Sequence, residues 1–234
     1  MSLSDYSRFF TREYMMGPNT LRLLDEAMRL HPLIRGGRIL DLGCGTGLSS
    51  LYLAREADAS VFAVDLWISA TDNHKRFLEW NAADSIIPIH ADANDLPFAD
   101  GCFDAVVSVD AYHYFAGNPH YFPEKLLPLV RKGGSVLIVI PGLREEFNKT
   151  VPQEILDWAG DEHTLFHSCE WWKETIGCVP GVASADFWEL GCTEEAWQEW
   201  FASGHKYALS DKAAFDRGVG KYLTFIGIAV RKEC

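Results

Sequence analysis

Between the apolar run Arg38-Ile39-Leu40 and the apolar-periodic stretch Leu48-Ser49-Ser50-Leu51-Tyr52-Leu53-Ala54 lies the segment Asp41-Leu42-Gly43-Cys44-Gly45-Thr46-Gly47. A short strand must therefore turn through a glycine loop into a helix. Glycines admit backbone conformations closed to other residues and let a ligand approach the main chain, while unpaired N–H groups at a helix start favour a negative group. The spacing narrows the choice of ligand. A dinucleotide loop of the G-x-G-x-x-G kind needs a glycine at position 48, where this chain has Leu48; the third glycine falls one place earlier, at Gly47, and an acid, Asp41, ends the strand.

Further segments repeat the pattern of a buried strand followed by a polar end. Val61-Phe62-Ala63-Val64-Asp65 reads as a second strand. It closes on a carboxylate about 20 residues after the glycines, the separation at which an acid accepts hydrogen bonds from a ribose diol. Ile86-Ile87-Pro88-Ile89-His90 reads as a third strand and is followed by Ala91-Asp92-Ala93. Leu96-Pro97-Phe98-Ala99-Asp100-Gly101-Cys102-Phe103-Asp104-Ala105-Val106-Val107-Ser108 then leads into a fourth, and Leu129 to Ile140 into a fifth.

Over roughly residues 38 to 142 these segments resemble the class I S-adenosylmethionine (SAM)-dependent methyltransferases, of the type 11-like kind that acts on small molecules. The resemblance implies that the loop holding Gly43, Cys44 and Gly45 takes the methionine part of SAM, with Asp41 supporting the methionine amino group or the glycine turn. It implies that Asp65 and the neighbouring Leu66 meet the ribose, that Asp92 with Ala93 meets the adenine, and that Ser108 contributes from the fourth strand. Taken alone, Asp65 and Asp92 read equally well as ordinary strand-end acids; their order and spacing favour the ligand roles. The Cys44 thiol reads as a small space-filler in the loop.

The alternation of strands and helices predicts an α/β architecture: a Rossmann-like, doubly wound, mainly parallel seven-stranded sheet with an antiparallel edge strand and a helical cap. Strands are expected near 38–42, 60–64, 86–90, 103–109 and 134–140, with helices near 19–31, 47–57, 70–83 and 119–131. The first helix carries Leu21, Leu24, Met28 and Leu23 on one face and ends at His31-Pro32. Beyond Pro141-Gly142 the chain turns acidic and Trp-rich, with helical stretches near 149–160, 168–177 and 193–203 and strands at 182–190 and 221–230. The resemblance makes these strands an antiparallel pair at one sheet edge. The whole, residues 1–234, reads as one domain: an N-terminal lid over 1–35, a cofactor-binding core over 36–142, a cap insertion over 143–220 and a final strand over 221–234.

Composition restricts the partners. With 48% hydrophobic and 23% charged residues the chain is globular. A net charge of −12 argues against nucleic acid and against an anionic membrane surface, since both are bound by clustered Lys and Arg. Apolar runs are strand-sized and the N-terminus begins polar, so a cytoplasmic location is expected. The expected partner is a small-molecule acceptor; a homodimer is compatible. Cysteines at 44, 102, 169, 178, 192 and 234 show no C-x-x-C pair and read as reduced thiols. His163 and His167, near Glu162, Cys169 and Glu170, lack a second ligand pair at standard spacing, so no metal is expected.

Ligands in open α/β sheets sit beyond the carboxyl ends of the strands, which singles out Ser108-Val109-Asp110-Ala111-Tyr112-His113-Tyr114-Phe115. His113 is the candidate general base, since an imidazole of pKa about 6.5 needs little tuning; a structural histidine under the cap is the competing reading. Upstream, Tyr6, Phe9, Phe10, Tyr14, Met15, Met16, Gly17 and Pro18 form an aromatic, soft segment that in similar enzymes folds over the cofactor, which would set the Tyr14 hydroxyl near the sulfonium; simple packing of an N-terminal helix on the core is the competing reading. Trp171, Trp172, Trp188, Trp197 and Trp200 offer either core packing or walls for a cationic acceptor. The expected reaction is in-line methyl transfer to nitrogen or oxygen of a compact metabolite. An NAD-dependent oxidoreductase and a non-catalytic SAM-binding protein stand as alternatives.

Overall fold

The computed structural model describes residues 3–147 and 149–234; Met1 and Ser2, at which the N-terminal segment begins, and Asn148 lie outside the described residues. Five parallel strands carry the first half of the chain: β1 (Arg38–Leu42), β2 (Ser60–Asp65), β3 (Ile86–His90), β4 (Phe103–Val109) and β5 (Val130–Leu143). Helices α1 (Thr20–Leu30), α2 (Leu48–Glu56) and α3 (Ala70–Glu79) precede β1, β2 and β3. The second half adds α4 (Gln153–Ala159), α5 (Cys169–Ile176), β6 (Val182–Glu189), α6 (Thr193–Ala202), α7 (Lys206–Asp216) and β7 (Leu223–Lys232). The seven strands form one sheet in the order β3-β2-β1-β4-β5-β7-β6. The expected antiparallel pairing is at the β6 edge, where β7 runs against both β5 and β6.

The strands are buried on both faces because side chains alternate along them. Ile39, Val61, Val107 and Val139 join Leu21, Leu24, Leu51 and Phe77 on one side; Leu40, Val64, Val106 and Ile138 join Phe103, Trp172 and Ile228 on the other. Near-continuous apolar runs are therefore what both faces require. Order reverses between β1 and β4, so the crevice at the strands' carboxyl ends opens there.

Two segments depart from the sequence expectation. A single helix over 119–131 is replaced by a wide turn, Phe122–Leu126, and a 3-10 turn, Leu127–Leu129. Pro123 and Pro128 supply no backbone N–H, and a proline ring inside a helix collides with the preceding turn. Strand β5 consequently starts early, at Val130, and bulges before pairing Ser135 with Ala105. Helix α7 was not expected: it buries only the small residues Ala208 and Ala214, which leave little periodic signal.

The N-terminal segment reaches the crevice by way of α1. Asn19 caps that helix, its side-chain oxygen accepting from the N–H of Leu21 at 3.0 Å and of Arg22 at 3.3 Å. Its amide nitrogen donates to Glu199 of α6, which also pairs with the Arg22 guanidinium. At the other end of the same helix, Glu26 accepts from the N–H of Gly191 and Cys192. Replacing Asn19 with Ala removes a cap and one strut to α6, and should lower the urea-unfolding free energy by about 1–2 kcal/mol at unchanged m-value.

Candidate functional site

The turn after β1 is fixed by acids buried behind it. Gly43, Gly45 and Gly47 all take positive φ, at 77°, 54° and 89°. At Gly43 a β-carbon would stand 2.3 Å from that of Ala111, so only glycine lets the turn pass against the loop after β4. At Gly47 it would meet the Phe77 ring at 2.4 Å. Gly47 also opens α2 without a side-chain cap, leaving the first helical N–H groups to other partners.

Asp65, at the end of β2, organises the turn from the side. One carboxylate oxygen accepts the Gly45 N–H at 2.8 Å; the other accepts those of Trp67 at 2.8 Å and Ile68 at 2.9 Å. A carboxylate offers about four acceptor positions, so room for a further hydroxyl donor remains. Asp41 lies deeper and is fully buried; one oxygen accepts from the hydroxyls of Ser49 at 2.6 Å and Ser50 at 2.5 Å, while its other oxygen has no partner among the described residues. Burial raises its pKa to about 6 against the serine hydrogen bonds, which lower it. It braces the start of α2 from behind the cavity wall.

A cavity of about 410 Å³ lies along this turn. Its wall brings together Gly43, Cys44 and Gly45, then Asp65 and Leu66, then Asp92 and Ala93, with Tyr14, Met16 and Gly17 from the N-terminal segment and Asp110, Ala111 and Tyr114 from the loop after β4. The N-terminal segment is tied down where the Thr46 hydroxyl donates to the Tyr14 carbonyl at 2.6 Å. Asp92 accepts from the backbone and side-chain N–H of Asn94, which hold its pKa below the ordinary carboxylate value. The Tyr121 hydroxyl donates to the Ala93 carbonyl at 2.9 Å. Burial raises the Cys44 thiol pKa, and the thiol fills space in the loop.

Other expected residues also lie off the cavity wall. Ser108 is fully buried within the sheet and donates to the Leu42 carbonyl at 2.7 Å, clamping β4 to β1 instead of facing the cavity. His113 sits in the 3-10 turn Tyr112–Tyr114, 3% exposed, between the rings of Tyr114 and Phe166 and off the cavity wall. Burial lowers its pKa to about 3, so the ring is neutral at pH 7. The cap tryptophans pack in the core: Trp172, Trp197 and Trp200 are buried, and the tryptophan on the cavity wall is Trp67, after β2. His163 bonds the Gly160 carbonyl and His167 stacks on Trp171.

The structure adds Asp110, which follows β4 directly in the left-handed conformation, φ 57°, and lines the cavity. Burial, with the charge of Asp211, raises its pKa to about 7. Its sequence signal was its position: like Asp41 and Asp65, it is an acid at the carboxyl end of a buried parallel strand.

Residues 40–138 match the methyltransferase domain family. Over that segment the chain is a methyltransferase domain of the class I SAM-dependent kind. It is 28% identical over 120 residues to 27-O-demethylrifamycin SV methyltransferase of Amycolatopsis mediterranei, covering 51% of this chain and 44% of that one. It is 30% identical over 185 residues to 2-methyl-6-phytyl-1,4-hydroquinone methyltransferase of Synechocystis, covering 72% and 54%. The chain thus spans about half the length of these curated relatives. Among solved structures, phosphoethanolamine N-methyltransferase 2 of Haemonchus contortus, in complex with phosphomonomethylethanolamine and S-adenosylhomocysteine, superposes with a TM-score of 0.71 at 18% identity over 94% of this chain and 55% of that one, a likeness of fold. Among the described residues no helix is long and apolar enough to cross a membrane.

The buried Asp41 gives this methyltransferase turn a pH signature. A carboxyl with pKa about 6 in the folded protein and 3.8 unperturbed keeps its proton over a window in which the unfolded chain has lost it. Its stabilising contribution is complete below about pH 4 and disappears as pH rises through about 6. The melting temperature of wild type relative to Asp41→Asn should therefore fall between those pH values and level off above them, as followed by calorimetry in matched buffers.

Proposed function

We propose that this protein transfers a methyl group from SAM to nitrogen or oxygen of a small-molecule acceptor, within one domain formed by residues 1–234. The observation that carries the reading is the joining of the glycine turn, Asp65 and Asp92 along a single cavity. In this reading the main chain of Gly43 to Thr46 receives the methionine part, Asp65 and Leu66 the ribose, and Asp92 with Ala93 the adenine. Bound SAM supplies a methyl carbon activated by a positive sulfur. The protein's own work is alignment and exclusion of water, which can lower the barrier by about 7–11 kcal/mol. Tyr14, Met16 and Gly17 close one side of the cavity and Tyr114 another, in keeping with that task. His113 is given no part in the chemistry here, because a base must reach the proton it removes.

Titration calorimetry tests the cofactor reading directly. S-adenosylhomocysteine should bind, and NADH should give no heat beyond dilution; the reverse outcome would reinstate the oxidoreductase alternative. Asp65→Ala should weaken S-adenosylhomocysteine binding by more than about tenfold, through loss of charge-assisted hydrogen bonds both to the ribose and to the Gly45 turn. Unchanged affinity would reject the ribose assignment. Incubation with methyl-labelled SAM and a metabolite extract should yield a labelled small molecule, and the labelled atom should be nitrogen or oxygen. A protein that binds SAM and labels nothing would be a non-catalytic binder.

A further inference from the structure

Every charged side chain on the cavity wall is an acid: Asp65, Asp92 and Asp110 among the described residues. Two of them are already engaged, Asp65 with three backbone N–H groups and Asp92 with Asn94. Among the described residues the Asp110 carboxylate has no hydrogen bond or ion pair. Its position is nonetheless built. The Asp110 N–H is fixed to the Val139 carbonyl at 2.8 Å, its backbone turns left-handed at φ 57°, and a β-carbon on Gly17 would stand 2.3 Å from its Oδ2. The N-terminal segment can thus close on this carboxylate only because residue 17 has no side chain.

The surroundings favour a cation. Asp211 on α7 adds negative charge toward Asp110, and Tyr114 and Trp67, their rings 5.3 Å apart, line the same wall. An acceptor bearing phosphate or carboxylate would meet like charge there, whereas an ammonium group gains both charge and ring contacts. We propose that the acceptor is an amine, protonated in solution, and that Asp110 binds its ammonium group and takes one proton from it; this rests on the methyl-transfer reading above. The N–H bond breaks and its proton passes to the Asp110 carboxylate, leaving a lone pair on nitrogen. That pair forms the new N–C bond to the donor methyl as the C–S bond breaks and its electrons remain on sulfur. The positive charges on the amine and on sulfur and the negative charge of the carboxylate become one positive charge on the methylated amine, a neutral thioether and a neutral carboxyl, which later releases its proton to solvent.

A carboxyl raised to about 7, first by burial and then by Asp211, is a better proton acceptor than an exposed one. The titratable groups around it are Asp211 on α7, Tyr114 in its own loop, Tyr14 in the N-terminal segment, and Asp65 and Asp92 on the cavity wall, with Glu162 acting on Tyr114. Burial pushes the Tyr114 pKa upward, so it stays protonated across the range below.

The test compares Asp110→Asn with wild type by calorimetry, since Asn tolerates the left-handed backbone. Three nucleosides serve as probes: S-adenosylhomocysteine, SAM, and the analogue in which an amino-bearing carbon replaces sulfur and so presents an ammonium where the methyl leaves. The variant should bind the amino analogue about tenfold or more weakly, with S-adenosylhomocysteine changed by less than about twofold. Wild-type affinity for the amino analogue should rise from about pH 6 to about pH 8 as the carboxylate ionises, the ligand amine staying charged throughout. The variant's profile should be flat. Equal affinity of both proteins for the amino analogue would overturn the proposal. An equal loss for SAM and the amino analogue would also overturn it, assigning Asp110 to the sulfur charge. Should the variant not fold, a flat wild-type profile would be decisive against it. Failure of all three nucleosides to bind wild type would instead sink the methyl-transfer reading itself.

Discussion

The carboxylate at the end of β2 and the glycine turn after β1 hold each other in place. Asp65 accepts the Gly45 N–H from one side and the N–H groups that begin the next loop from the other. Such bonds to an ionised acceptor are roughly twice as strong as neutral ones, and here they fix a turn containing three left-handed glycines. Side chains from three other segments pack against that turn. Ala111 packs where a Gly43 side chain would be, Phe77 where one of Gly47 would be, and Met16 sulfur lies 2.9 Å from the β-carbon position of Gly45. The N-terminal segment and the loop after β4 therefore meet the same short stretch of bare backbone.

Acids recur at or just beyond the strand ends, and their surroundings give the same functional group different properties. Asp41 is sealed in the core with two serine hydroxyls and an unpaired oxygen, and holds its proton to about pH 6. Exposed Asp92, fed by two N–H groups of Asn94, ionises more readily than usual. Asp110, partly shielded and near another carboxylate, titrates at about 7. Desolvation, hydrogen bonding and like charge are the separate causes. A non-glycine residue in the left-handed region costs on the order of 1 kcal/mol or more, and at Asp110 that cost turns the carboxylate into the cavity wall.

The sheet was readable because parallel strands buried on both faces write near-continuous apolar runs, each closed by a glycine or an acid. Strands β1, β3 and β4 fall where their runs begin and end. Helices whose burial rests on large side chains were equally plain, as at Leu21 and Leu24 of α1. Legibility failed where a local rule overrode the pattern, at Pro123 and Pro128, or where alanines carried the packing, as in α7. In the site, spacing was enough to bring Asp65 and Asp92 to one cavity but could not orient single side chains. Ser108 is in the strand, where its hydroxyl is consumed by the Leu42 carbonyl. His113 and Asp110 are three residues apart on one loop, and the left-handed backbone of Asp110 and the 3-10 turn that holds His113 set one on the cavity wall and bury the other.

That turn also changes how the cap must be understood. The cap tryptophans do not wall the cavity; Trp158 of α4 and Trp200 of α6 instead donate from their indole nitrogens to the two oxygens of Asp211, at 3.0 and 2.8 Å. A single carboxylate on α7 thereby ties three cap helices together and is held in a fixed orientation. Asp211 is absent from the cavity wall, yet its charge raises the pKa of Asp110 and of Tyr114. Charge acts across distances at which side chains no longer touch, and it acts most strongly where water is excluded. The cap can therefore tune the protonation of Asp110 although, among the described residues, it contributes none to the cavity wall, and substitution of Trp158 or Trp200 would act on Asp110 through Asp211.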